Sequence, residues 1–324
     1  MKDFKFISSN IKDAYFNIAS EEYLLKHTDG FYIYLWQNSP AVIVGNNQNT
    51  LLEVNLGYAE KYDIKVVRRL TGGGAVYHDL NNVCYTIIAP YSQGVDYYAK
   101  WTTPVIEFLN SLGVKAEFSG RNDICIDGKK ISGNAQVVYK NRIMHHGTLL
   151  FDTDLSVLQN VLVENKLKIQ SKGIKSVRAR VTNIKSYLDE NLSCSQFFEM
   201  LCDYLRKNLT NYQFTQKDVQ QINYLVSSKY NTYDWNIGKS PIGKNRLDIK
   251  FDCGIVTITF DLVDGRFLNT QIFGDYFSSE NVNHFIKRLD GKQFIKEQIE
   301  SALEGIEQFI PNANSKAIAN KFFE

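Results

Sequence analysis

Arg68-Arg69-Leu70-Thr71-Gly72-Gly73-Gly74-Ala75-Val76-Tyr77-His78-Asp79 is the stretch that decides how this chain is read. The apolar run Ile64 to Val67 precedes it and Val83 to Ala89 follows, both with the length and residue types of buried strands. Three consecutive glycines between strands are costly in backbone entropy. Such a loop is kept where N–H groups must come close to an anion, most often a phosphate or carboxylate. Arg68 and Arg69 at its entrance bring charge and directional donors to the same anion. The plainer alternative is a tight strand connection with solvated arginines. No Gly-Lys-Ser/Thr closes the loop, so it is not a Walker A motif.

Upstream, Asn17 is placed to cap a helix that runs through Glu21, Glu22 and Leu25 and stops near Gly30. Phe31 to Trp36 and Ala41 to Val44 read as strands around Asn38-Ser39-Pro40, and Leu52 to Tyr62 as a helix. Downstream, Asp96 to Leu112 has helical composition with Pro104 set to kink or divide it. Asp127-Gly128 between alternating runs predicts a hairpin, and Lys140-Asn141-Arg142 a second turn. Helices are expected over 193–208 and 216–227. The Gly/Pro/Lys-rich stretch 238–245 reads as a linker. Beyond it Arg246 to Phe260 alternates, Asp264-Gly265 marks a hairpin, Phe267 to Phe273 alternates again, and three helical patterns close the chain. Hairpins with interspersed helices, rather than regular βαβ units, imply an α+β fold with a large mixed sheet and a small α+β C-terminal domain. The expected division is a catalytic domain over 1–240 and an accessory domain over 246–324.

Composition narrows the function. A net charge of +2, from 37 Lys and Arg against 35 Asp and Glu, carries no general signal for nucleic acid or membrane. Five cysteines with no C-x-x-C pair argue for a reducing cytoplasm rather than a disulfide framework. No stretch is long and apolar enough to be a signal peptide core or a membrane span. The expectation is a cytoplasmic, soluble protein. The local exception to charge balance is 166–185, with Lys166, Lys168, Lys172, Lys175, Arg178, Arg180 and Lys185 and no acid. It reads either as a solvated face or as a landing site for an acidic partner.

The segment 120–136 supplies the chemistry. Lys130 stands three residues before Gly133 in a hairpin strand near Asn122 and Asp123. If it shares a cleft with Arg69, the two form a cationic clamp for a phosphate and a carboxylate, as acyl activation requires. Asp123 is a hard oxygen ligand suited to magnesium on a triphosphate, with a turn role as the alternative. His145 and His146 are adjacent on a strand and point to opposite faces, so they do not share one metal ion. Cys84 and Cys125 lie within strands near the expected site, which keeps a thiol acyl-transfer route open.

The run Arg68 to Asp79, Gly120-Arg121-Asn122-Asp123, Lys130-Ile131-Ser132-Gly133 and His145-His146-Gly147-Thr148-Leu149-Leu150 resemble the successive motifs of lipoate–protein ligases. So do Asn17 to Glu22, Lys172 to Asn183 and Tyr233-Asp234-Trp235-Asn236, in the family's order over roughly the first 240 residues. The resemblance implies a biotin/lipoate ligase-type catalytic domain that turns lipoate and ATP into lipoyl-AMP. The lipoyl group then passes to a lysine of an apo lipoyl domain, from a 2-oxoacid dehydrogenase E2 or a glycine-cleavage H protein. It implies ATP and Mg2+ as co-substrate and ion and no tightly bound prosthetic group. By motif position, Arg69, Gly74, Ala75, Val76, Tyr77, Asn122, Asp123 and Lys130 would bind ATP or the adenylate, with Lys130 the main catalytic residue. Arg69, Gly73, Lys130, Asn47 and His146 would face lipoate, and Asp123 would hold magnesium through ATP. Lys172, Lys175, Arg178 and Arg180 would guide the acceptor. Asn81 stands where the family usually has glycine, and Thr71 where serine is common. Thioester-based transferases, biotin ligases and a non-catalytic lipoate carrier are the competing readings.

Overall fold

Period-two alternation sets the layers. The computed structural model describes residues 4–120, 122–163, 181–188, 191–239, 245–252, 254–276, 278 and 282–323. The strands of its first part are β1 (Phe4–Ser8), β2 (Phe31–Trp36), β3 (Ala41–Val44), β4 (Lys65–Arg68), β5 (Val76–His78), β6 (Asn82–Pro90), β7 (Ala116–Ser119), β8 (Asp123–Ile126), β9 (Lys129–Tyr139), β10 (Arg142–Leu150) and β11 (Thr210–Asn211). Eight of them form one mixed sheet in the order β11-β1-β2-β6-β10-β9-β8-β7, with β1 parallel to β2 and β11 and the other pairs antiparallel. The fold is α+β, as the hairpin pattern implies.

In β6, Val83, Tyr85, Ile87 and Ala89 face one side, where they meet helix α2 (Tyr97–Ser111) and helix α3 (Cys194–Arg206). Cys84 and Ile88 face the other, towards helix α1 (Ala14–Lys26), which in turn packs on helix α4 (Gln216–Leu225). A strand buried on both faces is a near-continuous apolar run, and β6 is buried from Asn82 to Ala89. α1 is buried on almost every side, unlike an amphipathic surface helix.

A second sheet, β4-β3-β5, with β3 parallel to β4 and antiparallel to β5, lies on the α1 side and carries the glycine loop between β4 and β5. The last part of the chain makes an antiparallel sheet of β12 (Asn245–Phe251), β13 (Gly254–Val263) and β14 (Arg266–Gly274). Short helices at Asn283–Ile286, Lys296–Ala302 and Ser315–Lys321 cover it, and together they enclose a core of their own. Both predicted Asp-Gly turns form with left-handed backbone, Asp127 and Gly128 at φ 50° and 71°, Asp264 and Gly265 at 49° and 67°.

Four local expectations are corrected. Asp13, not Asn17, caps α1, its side chain accepting from Phe16 N at 3.0 Å. Asn17 is buried within the helix and donates to Ile11 O and Gln37 O. The helix expected over 52–62 is two short ones, Thr50–Glu53 and Leu56–Lys61, because Asn49 and Asn55 each cap a new start. Pro104 sits inside one helix rather than dividing it. The run 246–260 is two strands, turning between Phe251 and Gly254. Among the described residues, no helix is long and apolar enough to cross a membrane.

Candidate active site

The α1 face of the large sheet is open where the two sheets meet, and a cavity of about 440 Å³ lies there. Its floor is one row of residues across the strands. Trp36 is in register with Cys84, Cys84 with Thr148, and Gly133 with Asp123, while Gly133 N donates to Thr148 Oγ1. All five line the cavity. From β2 to β8 the row crosses four strand spacings, roughly 19 Å at about 4.8 Å each. One end is apolar and aromatic, with Ile18, Trp36 and Ile43; the other holds Asn122, Asp123 and Lys130. The ligand this suits is long, with an apolar tail and a charged head.

Lys130 reaches the cavity through a break in register: Cys125 pairs with Lys130 but Ile124 with Ser132, a bulge that re-aims the side chain. Gly133 leaves room for it, since a Cβ there would stand 2.9 Å from Lys130 Nζ. Nζ lies 2.7 Å from Asp123 Oδ1, an ion pair without hydrogen-bond alignment. Asp123 Oδ1 is held against the Lys130 ammonium, and its carboxylate is a hard oxygen donor of the kind that suits a magnesium ion held mainly by phosphate oxygens. Among the described residues no His, Cys, Asp and Glu group could hold a metal by itself.

Arg69 is 5% exposed and spends its guanidinium on the loop. Nε donates to Thr71 Oγ1 (2.8 Å), Nη1 to Ile43 O (3.0 Å), and Nη2 to Gly72 O (2.6 Å) and Gly74 O (2.9 Å). Four of its five N–H donors are therefore committed. No peptide among the described residues is cis, so the C=O and N–H of one unit point opposite ways. Drawing Gly72 O and Gly74 O inward turns the N–H groups of Gly73 and Ala75 away from Arg69. Arg69 is thus the brace that orients the loop's donors. Gly73 has φ 90°, and a Cβ on Gly45 would overlap Gly73 O, so both positions require glycine; Gly74 has open space around it.

Arg68 is fully buried and does the same for the facing loop, donating to Gly45 O, Gln48 O, Thr50 Oγ1, Trp235 O and Asn236 O. Burial lowers both guanidinium pKa values to about 10, with Glu21 offsetting part of the effect at Arg69, so both remain charged at neutral pH.

The histidines point to opposite faces. His145 meets Gln136 and Asn134, while His146 lines the cavity with Nδ1 2.9 Å from Glu21 Oε1 and Nε2 2.8 Å from Thr71 Oγ1. Since Thr71 already accepts from Arg69, its hydroxyl can donate to Nε2, leaving the imidazole N–H on Glu21. Glu21, missed as a site residue from sequence, thus ties α1 to the glycine loop. Burial pushes the Cys84 thiol well above its ordinary pKa and raises Cys125, which does not line the cavity.

Arg69, Gly73, Gly74, Ala75, Val76, Asn122, Asp123, Lys130 and His146 all line the one cavity. Tyr77 and Asn47 do not: Tyr77 packs with Val42 and Leu158, and Asn47 donates from Nδ2 to Tyr276 O at 3.3 Å. Lys172, Lys175, Arg178 and Arg180 lie outside the described residues, as does Arg121. Lys250, Asp252 and Asp275, from the C-terminal sheet, also line the cavity, and no sequence signal pointed to them.

Comparison with known proteins follows the same lines. The lipoyl protein ligase A/B catalytic domain family matches residues 13–206, and the bacterial lipoate protein ligase C-terminus family matches 240–322. The lipoate-protein ligase LplJ of Bacillus subtilis is 41% identical over 308 residues, covering 92% of this chain and 93% of that protein. The crystal structure of P. falciparum LipL1 in complex with lipoate superposes with a TM-score of 0.78 at 25% identity, over 98% of this chain and 97% of that one. A lipoate-protein ligase A bound with ATP matches at TM-score 0.62 and 25% identity, over 72% of this chain and 98% of its own. A bipartite lipoate protein ligase from Thermoplasma acidophilum, described with its E2 lipoyl domain, matches at 0.64 and 27%, over 75% and 98%. With both its parts matched in order and a cavity of the required polarity, the chain belongs to the lipoate–protein ligase family and is an enzyme of that kind.

Proposed function

We propose that this enzyme activates lipoate with ATP to lipoyl-AMP and pyrophosphate, then transfers the lipoyl group to a lysine ε-amine of a lipoyl domain. The acceptors are the lipoyl domain of a 2-oxoacid dehydrogenase E2 or the glycine-cleavage H protein, in the cytoplasm. The observation that carries this reading is the cavity floor, apolar at Trp36 and ending at Asp123, with Lys130 lining the cavity beside that charged end.

A carboxylate is a poor acyl donor. In the first step its oxygen attacks the α-phosphorus and pyrophosphate leaves; in the second the amine attacks the acyl carbonyl and AMP leaves. Lys130 stands where charge accumulates, and the N–H groups of Gly73 and Ala75 add fixed donors. Gly74 to Val76 with Asn122 hold the nucleotide, and His146 lines the tunnel beside the lipoyl chain. Asp123 would supply an oxygen to magnesium, which when bound would offset the charge of the triphosphate. The catalytic part extends over 1–240 and the accessory part over 246–324. The raised thiol pKa of Cys84 and Cys125 disfavours a thioester route.

The test is lipoate-dependent ATP–pyrophosphate exchange by wild type and Lys130→Ala. Loss of one preorganised charged donor lowers the rate by about 10²–10³-fold. Near-normal exchange by a folded Lys130→Ala would defeat the assignment. The basic residues Lys172, Lys175 and Arg178 guide the acceptor, so neutralising all three weakens transfer more than adenylation; equal losses would remove them from docking.

A further inference from the structure

The C-terminal sheet contributes to the same cavity. Lys250 and Asp252, at the end of β12 and its turn, and Asp275, after β14, line it together with Arg69 and Lys130. A double contact holds this sheet in place: Gly274 N donates to Asn47 O, and Asn47 Nδ2 donates to Tyr276 O. The loop following β3 is therefore fastened to the strand end next to Asp275.

Charge bookkeeping across the cavity singles out one residue. Its lining holds three cationic side chains, Arg69, Lys130 and Lys250, and three acidic ones, Asp123, Asp252 and Asp275. Four of the five donors of Arg69 are spent on protein oxygens, and Lys130 is paired with Asp123 at 2.7 Å. On the same strand, Arg246 is engaged with Asp248 at 2.8 Å. Lys250 forms no ion pair among the described residues and is exposed, so its ammonium is not committed elsewhere. A triphosphate brings several negative charges into a site whose own side chains sum to zero.

We infer that Lys250 is the phosphate-binding residue for the terminal phosphates of ATP, contributed by the C-terminal sheet, and that it acts in adenylation and not in lipoyl transfer. This rests on the ligase reading above. The departing pyrophosphate is the group Lys250 neutralises: the bond between the α-phosphorus and its bridging oxygen breaks, and that oxygen takes the electron pair. Once pyrophosphate has left, the adenylate phosphate remains with Lys130 and the glycine loop, and Lys250 has no partner in the second step.

The experiment separates the two steps in the full-length enzyme. Lys250→Ala should lower lipoate-dependent ATP–pyrophosphate exchange by about ten- to hundredfold, the size of one charge-assisted contact. Transfer from supplied lipoyl-AMP to an apo lipoyl domain should change by much less, and Lys250→Arg should restore most of the exchange. Exchange equal to wild type, or equal losses in both steps, would overturn the assignment. ATP affinity measured by calorimetry gives the same comparison without any reaction, and an unchanged affinity in Lys250→Ala overturns it independently. Absence of lipoate-dependent exchange in the wild type would instead count against the ligase reading itself.

Discussion

Replacing Arg69 by lysine keeps the charge and removes the fork. The guanidinium reaches Ile43 O on one side and both Gly72 O and Gly74 O on the other, while Nε holds Thr71 Oγ1. A lysine ammonium concentrates its donors at one point and can serve only one of these sides. At least two of the four acceptors lose their donor. At about 1–3 kcal/mol for each buried group left unsatisfied, the loss is roughly 2–6 kcal/mol. That is a large share of the ~5–15 kcal/mol that holds a typical protein together. For a protein of this size, about 2–4 °C per kcal/mol converts it into a fall of roughly 4–24 °C in thermal midpoint. A loop released from Arg69 also lets the Gly72–Gly73 and Gly74–Ala75 peptides rotate, which removes the oriented N–H donors. Adenylation should then fall by about 10²–10³-fold even at temperatures where the variant is folded. Calorimetric melting and lipoate-dependent pyrophosphate exchange read the two effects separately. If Arg69→Lys melts like wild type and keeps its exchange rate, Arg69 acts as a charge and the brace argument fails.

Other perturbations bear on the same geometry. Gly133→Ala places a methyl 2.9 Å from Lys130 Nζ, at the free end of a flexible chain. The fold should survive while exchange drops about tenfold or more; a variant with normal exchange would show that Lys130 needs no such clearance. Gly45→Ala, by contrast, overlaps the backbone of Gly73 and should lower the melting temperature, whereas Gly74→Ala meets nothing and should not. Acid should weaken the fold through His78 and His145, whose pKa values burial lowers from 6.5 to about 3, with Arg69 and His146 adding to the effect at His78 and His146 at His145. As pH falls below 6.5 the unfolded chain takes up these protons and the folded chain does not, so stability declines from there towards pH 3. The slope reaches about 1.4 kcal/mol per pH unit for each histidine. A melting temperature that stays level from pH 7 to pH 5 would contradict the burial of both rings.

What the chain disclosed beforehand was what local rules govern. Asp127-Gly128 and Asp264-Gly265 form the predicted hairpins because only left-handed backbone fits those turns. The opposite orientation of His145 and His146 follows from the pleat alone. The roles of Arg68 and Arg69 did not follow, because the acceptors of Arg68 come from distant segments, Gly45 on one hand and Trp235 and Asn236 on the other, while Arg69 joins Ile43 O to carbonyls of its own loop whose direction only the folded backbone sets. Two arginines beside a glycine loop look like anion ligands until those carbonyls are in place. Asn17 looked like a cap, but Asp13 lies at the true helix start and Asn17 is consumed inside. Lys250 is one polar position in an alternating strand, and nothing local marks it as facing a cavity built by another sheet.

The hold of Arg68 on Trp235 and Asn236 sets a lower limit on how short a working piece of this enzyme can be. The match to the catalytic-domain family model ends at residue 206, yet Asn236 Oδ1 also accepts a hydrogen bond from Arg68 N, and Asn236 O accepts one from the Thr50 hydroxyl. A fragment trimmed where that match ends would strand a buried guanidinium under the loop that follows β3. The indivisible unit runs at least to Asn236, set by the reach of one cation and not by the edge of a recognisable pattern.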